Sequence, residues 1–403
     1  MMKIKLLFFV IVLSYFLYSC GNGKKEKTDE SEIVSTNCIT LKIKGDINSL
    51  LQIDSIFTDI KTIPLETKDE CMIEEIVKAI FYGDKLFLQD NMKRLLVFNT
   101  NGKFLYEIGK IGRGPGEFLE LRDFDIDKEG NIYILSFLKI LKYKSDGTFL
   151  KGFSYHFAPT DEIYCNLLEF ALKSNGNFYI WGASFSIKSN PEGKLFAMYE
   201  MTREGKIVNK YFPLKHIING EWQNRFRRFE NLLIMNPIFG SNTVYSFDSL
   251  TVNERYLIDF GKKTLDQPVP EDFTSIRDFR INIDQSYFHS IGKFIEVDDW
   301  IFFMFNYQMH LYNVYFSKKL NKSFISRQWP LVSGRIAPWN ILAGNNDNFI
   351  SFIDPKYVIE QINKCKEMDY NNLPASVKKN IERLEKIKVT DNPVMFICSL
   401  KEY

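Results

Sequence analysis

The sequence predicts an all-β protein, a six-bladed β-propeller of four-stranded antiparallel blades. Three observations predict it. Short apolar runs follow turn glycines at a near-constant interval, with Gly83 to Gly130 spanning 47 positions and Gly130 to Gly176 spanning 46. A second set of turns, Asn101-Gly102, Asp146-Gly147 and Glu204-Gly205, runs beside the first, so each repeat holds two tight hairpins. Phe (36) and Tyr (20) are abundant, the large side chains that pleated sheets bury between them. A repeat of about 40 to 50 residues with four strands marks a propeller. A β-sandwich would not need the same spacing three times.

The elements follow in order. The first blade turns at Gly83-Asp84 and Asn101-Gly102, the second at Glu129-Gly130 and Asp146-Gly147, the third at Asn175-Gly176 and Glu204-Gly205. Their strands are nearly continuous in apolar residues, as in Leu95-Leu96-Val97-Phe98, which fits sheets covered on both faces. A fourth blade is expected over 232–260 with Asn253-Glu254 as its second turn. A fifth is expected over 291–328, turning at Asp298-Asp299 and Asn321-Lys322. A sixth begins near Pro338 and turns at Asn345-Asn346-Asp347. Its third strand is 393–400, and its fourth is the N-terminal strand 57–65, which closes the ring and removes a free edge. Between its second and third strands lies a helical insertion, 355–390. Helical spacing at Tyr357, Ile359, Ile362 and Lys366, then at Val377, Ile381, Leu384 and Ile387, reads as two helices.

The N-terminus is organised differently. Lys3 and Lys5 precede an apolar run that ends at Ser19-Cys20, the pattern of an export signal over 1–19. That run is too short to span a bilayer comfortably. Leu17-Tyr18-Ser19-Cys20 resembles a bacterial lipobox, making Cys20 the lipidated residue and 20–38 a flexible tether rich in Gly, Lys, Glu and Ser. The propeller then occupies 39–403. Five cysteines remain (Cys38, Cys71, Cys165, Cys365 and Cys398), an odd number without the spacing of a disulfide framework or a zinc site.

Beyond the repeat, the chain resembles a known family, the six-bladed β-propeller lipoproteins of bacteria, which are related to NHL-repeat propellers. The matching residues are Ile63-Pro64-Leu65-Glu66-Thr67, the run from Val97 through Asn101-Gly102 to Leu105, and Gly112-Arg113-Gly114-Pro115-Gly116-Glu117-Phe118. The resemblance spans the mature chain and is specific in the first two blades. It implies the fold and a cell-envelope location, with no agreed activity.

Function is expected on one face of the disc. The turns inside each hairpin are tight, whereas the connections on the other face are long, and long loops on a rigid scaffold usually carry function. Trp181, Trp222, Trp329 and Trp339 map to the loop-rich face, with Arg113, Glu117, Arg122, Arg225 and Arg335 among them. Indole offers a flat surface to a sugar ring or a protein, and arginine grips carboxylates. These nine residues are the expected ligand-binding set, for a glycan or an envelope protein partner. The membrane is reached through the lipid anchor of an outer-membrane lipoprotein. A net charge of +2 gives no global field toward nucleic acid.

No catalytic constellation is convincing and no cofactor is expected. The glycines at 109, 112, 114 and 116 match no nucleotide-binding pattern and read as a tight turn. His156, His216, His289 and His310 map to the loop-rich face but have no metal-ligand spacing. Asp123-x-Asp125-x-Asp127 lacks the later ligands of a calcium loop and reads as a solvated strand end. Two alternatives stand beside the binding module: a propeller hydrolase or lyase with an axial metal, and a structural subunit that docks through the helical insertion.

Overall fold

Six antiparallel sheets stand around one axis in the computed structural model, which describes residues 29–30, 33–34, 37–48, 51, 53–137, 139–155, 165–184, 195–214, 224–238, 240–248, 251–265, 281–283, 285–327, 338, 340–367 and 370–403. Four strands precede the first blade: β1 (Asp29–Glu30), β2 (Ile33–Val34), β3 (Ile39–Lys42) and β4 (Phe57–Pro64). Blade one is β5 (Ile76–Tyr82), β6 (Lys85–Asp90), β7 (Leu95–Asn99) and β8 (Phe104–Glu107). In the connection that follows, β9 (Lys110–Ile111) and β10 (Glu117–Phe118) form a short parallel ladder. Blade two is β11 (Asp123–Ile126), β12 (Ile132–Leu135), β13 (Lys139–Tyr143) and β14 (Phe149–Ser154). Blade three is β15 (Cys165–Leu172), β16 (Phe178–Ser184), β17 (Leu195–Met201) and β18 (Ile207–Leu214).

Blade four is β19 (Phe226–Phe229), β20 (Leu232–Met235), β21 (Thr243–Phe247) and β22 (Val252–Asp259). Blade five is β23 (His289–Glu296), β24 (Trp300–Tyr307), β25 (His310–Ser317) and β26 (Lys322–Arg327). Blade six is β27 (Ile341–Asn345), β28 (Asn348–Ile353) and β29 (Val394–Leu400), completed by β4, which runs antiparallel to β29 with Pro64 opposite Val394 and Phe57 opposite Leu400. The closure read from the sequence is therefore the one observed. The innermost strands β5, β11, β15, β19, β23 and β27 neighbour one another in a closed circle.

The core is divided into wedges between blades. Phe87 and Val97 of blade one pack on Phe124, Ile134 and Leu141 of blade two. Phe303 and Val314 of blade five pack on Val244 and Ile258 of blade four. Both faces of a blade are thus apolar, which explains strands such as β24, Trp-Ile-Phe-Phe-Met-Phe-Asn-Tyr. Each fully buried Phe contributes about 1.5–3 kcal/mol relative to exposure. At the closure, Gly102 has φ 84°, and a Cβ there would collide with the carbonyl oxygen of Pro64 in β4.

Four readings are corrected. Blade four begins at Phe226 and not at 232, because Glu230-Asn231 is a tight turn without glycine, so β19 passed as loop. Its outer hairpin turns at Asp248–Thr251, where Asp248 N donates to the Thr251 carbonyl and Thr251 N to the Asp248 carboxylate, and Asn253 lies inside β22. The segment expected to remain a flexible tether to residue 38 carries strands from Asp29 onward. Parallel pairing sets β1 on β18, and β2 and β3 on β22. Such edge pairing uses backbone groups and needs no apolar side chains. The helical insertion, α1 (Pro355–Glu367) and α2 (Ala375–Leu384), buries Val358, Ile362 and Cys365, then Val377, Ile381 and Leu384. The first helix is rotated from the expected phase, leaving Tyr357 outside.

That insertion covers an edge. Asn380 Nδ2 donates to the Ile60 carbonyl at 2.6 Å and Arg383 to the Thr62 carbonyl at 2.9 Å, while Thr62 Oγ1 donates to Asn380 Oδ1 at 3.0 Å. The outer edge of β4 is the outermost edge of blade six, and α2 satisfies it.

Candidate functional site

The innermost strands leave one backbone edge facing the axis, and buried edge groups need partners. Polar side chains supply them, blade to blade. Gln89 Nε2 donates to the Arg122 carbonyl at 3.1 Å, from blade one to blade two. Asp123 and Asp125 accept from the backbone N–H groups of Phe170 and Leu172 at 3.0 and 2.9 Å, from two to three. Glu169 accepts from Arg225 N at 2.5 Å, from three to four, and Asn236 Oδ1 accepts from Phe294 N at 3.0 Å, from four to five. Lys293 Nζ donates to Asn340 Oδ1, from five to six. Asn392 Oδ1 accepts from Ile73 N at 2.7 Å, from six to one. Asp123 and Asp125, read as a solvated strand end, are therefore buried. Alternation along a strand cannot tell water from an axis filled by neighbouring strands.

An ion cluster lies inside this circle. Lys78 Nζ meets Asp123 Oδ1 at 2.6 Å with both side chains buried, and Arg228 meets Asp125 at 2.6 Å. Burial raises the Asp123 carboxyl above its ordinary range, and burial with the nearby Asp123 charge pushes Glu169 up to about 7. Burial draws Arg227 down to about 10. Burial and the neighbouring Arg227 charge draw Lys293 down to about 8. Lys293 sits at φ 50° inside the irregularity between Gly292 and Ile295 of the β23–β24 ladder, a conformation that strand residues avoid. Arg227 Nε and Nη2 are sealed from solvent and find no hydrogen-bond partner among the described residues.

A cavity of about 770 Å³ runs along the axis from Lys78 and Arg227. It ends among the hairpin-turn residues Lys128, Ser174, Glu230 and Asn345, so it opens on the tight-turn face. Phe81 and Tyr82 line one wall.

The sequence-predicted residues divide three ways. Trp181 and Arg225 come together: the guanidinium lies 3.7 Å from the indole centroid, and both are buried. Trp181 stands within β16, not in the connection after it. Arg122 contacts Glu120, donates to the Leu167 carbonyl at 2.9 Å and lies over the Phe137 ring. Glu117 turns into its own loop, where it accepts from Gly114 N at 2.7 Å, and Arg113 is exposed. Trp222, Trp329, Arg335 and Trp339 lie outside the described residues, as do His156, His216 and Cys20. Cys38, Cys71, Cys365 and Cys398 are free thiols. Among the described residues no group of three or more His, Cys, Asp or Glu is placed to hold a metal ion.

Sequence reasoning passed over Lys78, Glu169 and Lys293. One signal was available: charged residues inside otherwise apolar blade strands, each at the first strand of its repeat. A family model described as "Domain of unknown function (DUF4934)" matches residues 38–399. No curated protein matches the chain. The crystal structure of a Bacteroides fragilis protein named for its inferred export superposes with a TM-score of 0.70 at 16% identity, covering 91% of this chain and 100% of that one. That likeness shows the shared propeller fold. A protein of unknown function from Bacteroides caccae (TM-score 0.34, 9% identity, 63% of this chain and 81% of that one) and BamB of Moraxella catarrhalis (0.34, 9%, 74% and 72%) are too distant to carry an argument.

Proposed function

The chain belongs to the DUF4934 family, and from that premise we propose that it is an exported envelope lipoprotein, anchored through Cys20, which binds a glycan or a protein partner on its loop-rich face. The observation that carries this reading is the asymmetry of the disc. Hairpin turns such as Gly83-Asp84 and Glu230-Asn231 are two residues long, whereas the opposite face receives the connections 155–164, 185–194, 215–223, 260–288 and 328–340. Arg113 is exposed on that face, and Trp222, Trp329, Arg335 and Trp339, which the sequence assigns to its connections, would add stacking and charged groups. Trp181 and Arg225 are buried against each other between blades three and four. Glu117 and Arg122 hold the first connection and the start of blade two. The export of the Bacteroides fragilis propeller, inferred in its name, accords with an envelope location.

Capture from envelope extract on the immobilised mature chain, alongside a glycan array, tests the reading. Trp222→Ala, Trp329→Ala and Trp339→Ala should each weaken retention at least about tenfold where the indole stacks on the ligand. Retention unchanged in all three variants would end the stacking proposal. In cells, Cys20→Ser should move the protein from the membrane fraction to the soluble fraction; continued membrane retention would end the anchor proposal.

A further inference from the structure

We propose that the axial cavity is a second binding site, facing away from the loop-rich side, for a small ring-bearing monocarboxylate whose carboxylate is received by Arg227. Three observations meet there. Arg227 lines the inner end of a cavity of about 770 Å³, a size suited to a small organic ligand and far larger than an inorganic ion needs. Its Nε and Nη2 have no hydrogen-bond partner among the described residues although they are sealed from water. A buried guanidinium with unmade bonds is an exception that calls for a physical reason. Rotation about its last torsions turns that fork onto an acceptor in the cavity.

The unmade donors at its inner end select the ligand. Asp123 is engaged by Lys78, Asp125 by Arg228, and Glu169 by the backbone of Arg225. Arg227 lies within the fields of Glu169 and Asp123, yet nothing accepts from its Nε or Nη2, and that pair of unmade donors takes one planar acceptor. Asp127, Glu129 and Glu230 in the walls are accompanied by Lys128, Lys173 and Arg203, so the unmade donors of Arg227, and not a net wall charge, set the preference. A planar carboxylate meets the guanidinium fork with two parallel bonds. Phe81 and Tyr82 line the wall and give aromatic contact area to the rest of the ligand.

Calorimetry with benzoate, benzamide and phenyl phosphate on the full mature chain tests the proposal, since these probes share a ring and differ in charge. Benzoate should bind once per chain. Benzamide should bind at least about tenfold more weakly, as loss of a charge-assisted pair implies, and phenyl phosphate should also be weaker than benzoate. Arg227→Met should abolish benzoate binding without lowering the unfolding midpoint, because it removes an unpaired buried charge. Arg227→Lys, which keeps the charge and loses the fork, should bind benzoate at intermediate strength. Tighter phenyl phosphate binding, no saturable benzoate binding, equal benzoate binding to wild type and both variants, or a folding defect in Arg227→Met that benzoate does not influence in the wild type would each overturn it. Trp222→Ala and Trp339→Ala should leave benzoate binding unchanged, so the two faces succeed or fail separately.

Discussion

Asp123 shows how one side chain holds an inter-blade junction. One oxygen meets Lys78 and the other accepts from the Phe170 amide, both out of water. Breaking such a pair from one side leaves a buried charge, which costs about 3–5 kcal/mol. Glu169 differs, because its carboxyl is held up to about 7, against an ordinary value of 4.5. An acid whose folded pKa lies above its unfolded value binds its proton more tightly when folded. Folding therefore takes up a proton between pH 4.5 and 7, and stability falls as pH rises through that window. The loss is on the order of 3 kcal/mol when complete. Urea unfolding at a series of pH values should show this fall in the wild type and its flattening in Glu169→Gln. An unchanged slope in the variant would assign the pH dependence to another group.

Single elements show how exposed edges are managed. The outer edge of β4 is covered by α2 through Asn380 and Arg383, and the outer edges of blades three and four are paired by β1, β2 and β3. At the ring closure, Asn392 accepts from Ile73 N and donates to the carbonyls of Glu66 and Cys71 at 2.7 and 2.8 Å. Asn392→Ala removes all three bonds and leaves the Glu66 carbonyl only the Cys71 thiol at 3.3 Å, at about 1–3 kcal/mol for each buried group left unpartnered. Hydrogen exchange should then accelerate in β4, β29 and the start of β5 while blades two to four remain protected. Uniform acceleration across all blades would mean that the closure does not open as a local unit.

At the scale of the molecule, the ring is a cycle of wedges, and each blade is stable only against its neighbours. Blade six takes its fourth strand from the N-terminus, so the two ends of the chain hold each other. Deleting 57–64 should abolish cooperative thermal unfolding. Deleting 20–36, which removes β1 and β2, should preserve it and add self-association, seen by light scattering, because the outer edges of β18 and part of β22 are uncovered. A monomeric truncation with unchanged scattering would mean that those edges need no cover.

By itself the sequence determined the repeat, six blades, the closing strand, the helical insertion and the tight-turn face. These are local signals: glycine turns at a fixed interval, apolar runs of strand length, helical spacing near the end. It did not reveal β19, whose Glu230-Asn231 turn lacks glycine, nor the pairing of β1 and β2, which backbone groups carry without a side-chain pattern. Only the tertiary structure decided what lies on the axis. Lys78, Asp123, Glu169, Arg227 and Lys293 come from five different blades, and a strand's alternation reports that a side chain points away from the apolar layers, not what it meets there. Closing the ring turns those positions from a solvated face into a buried charged lining, and that depends on the distance between strands far apart in the chain.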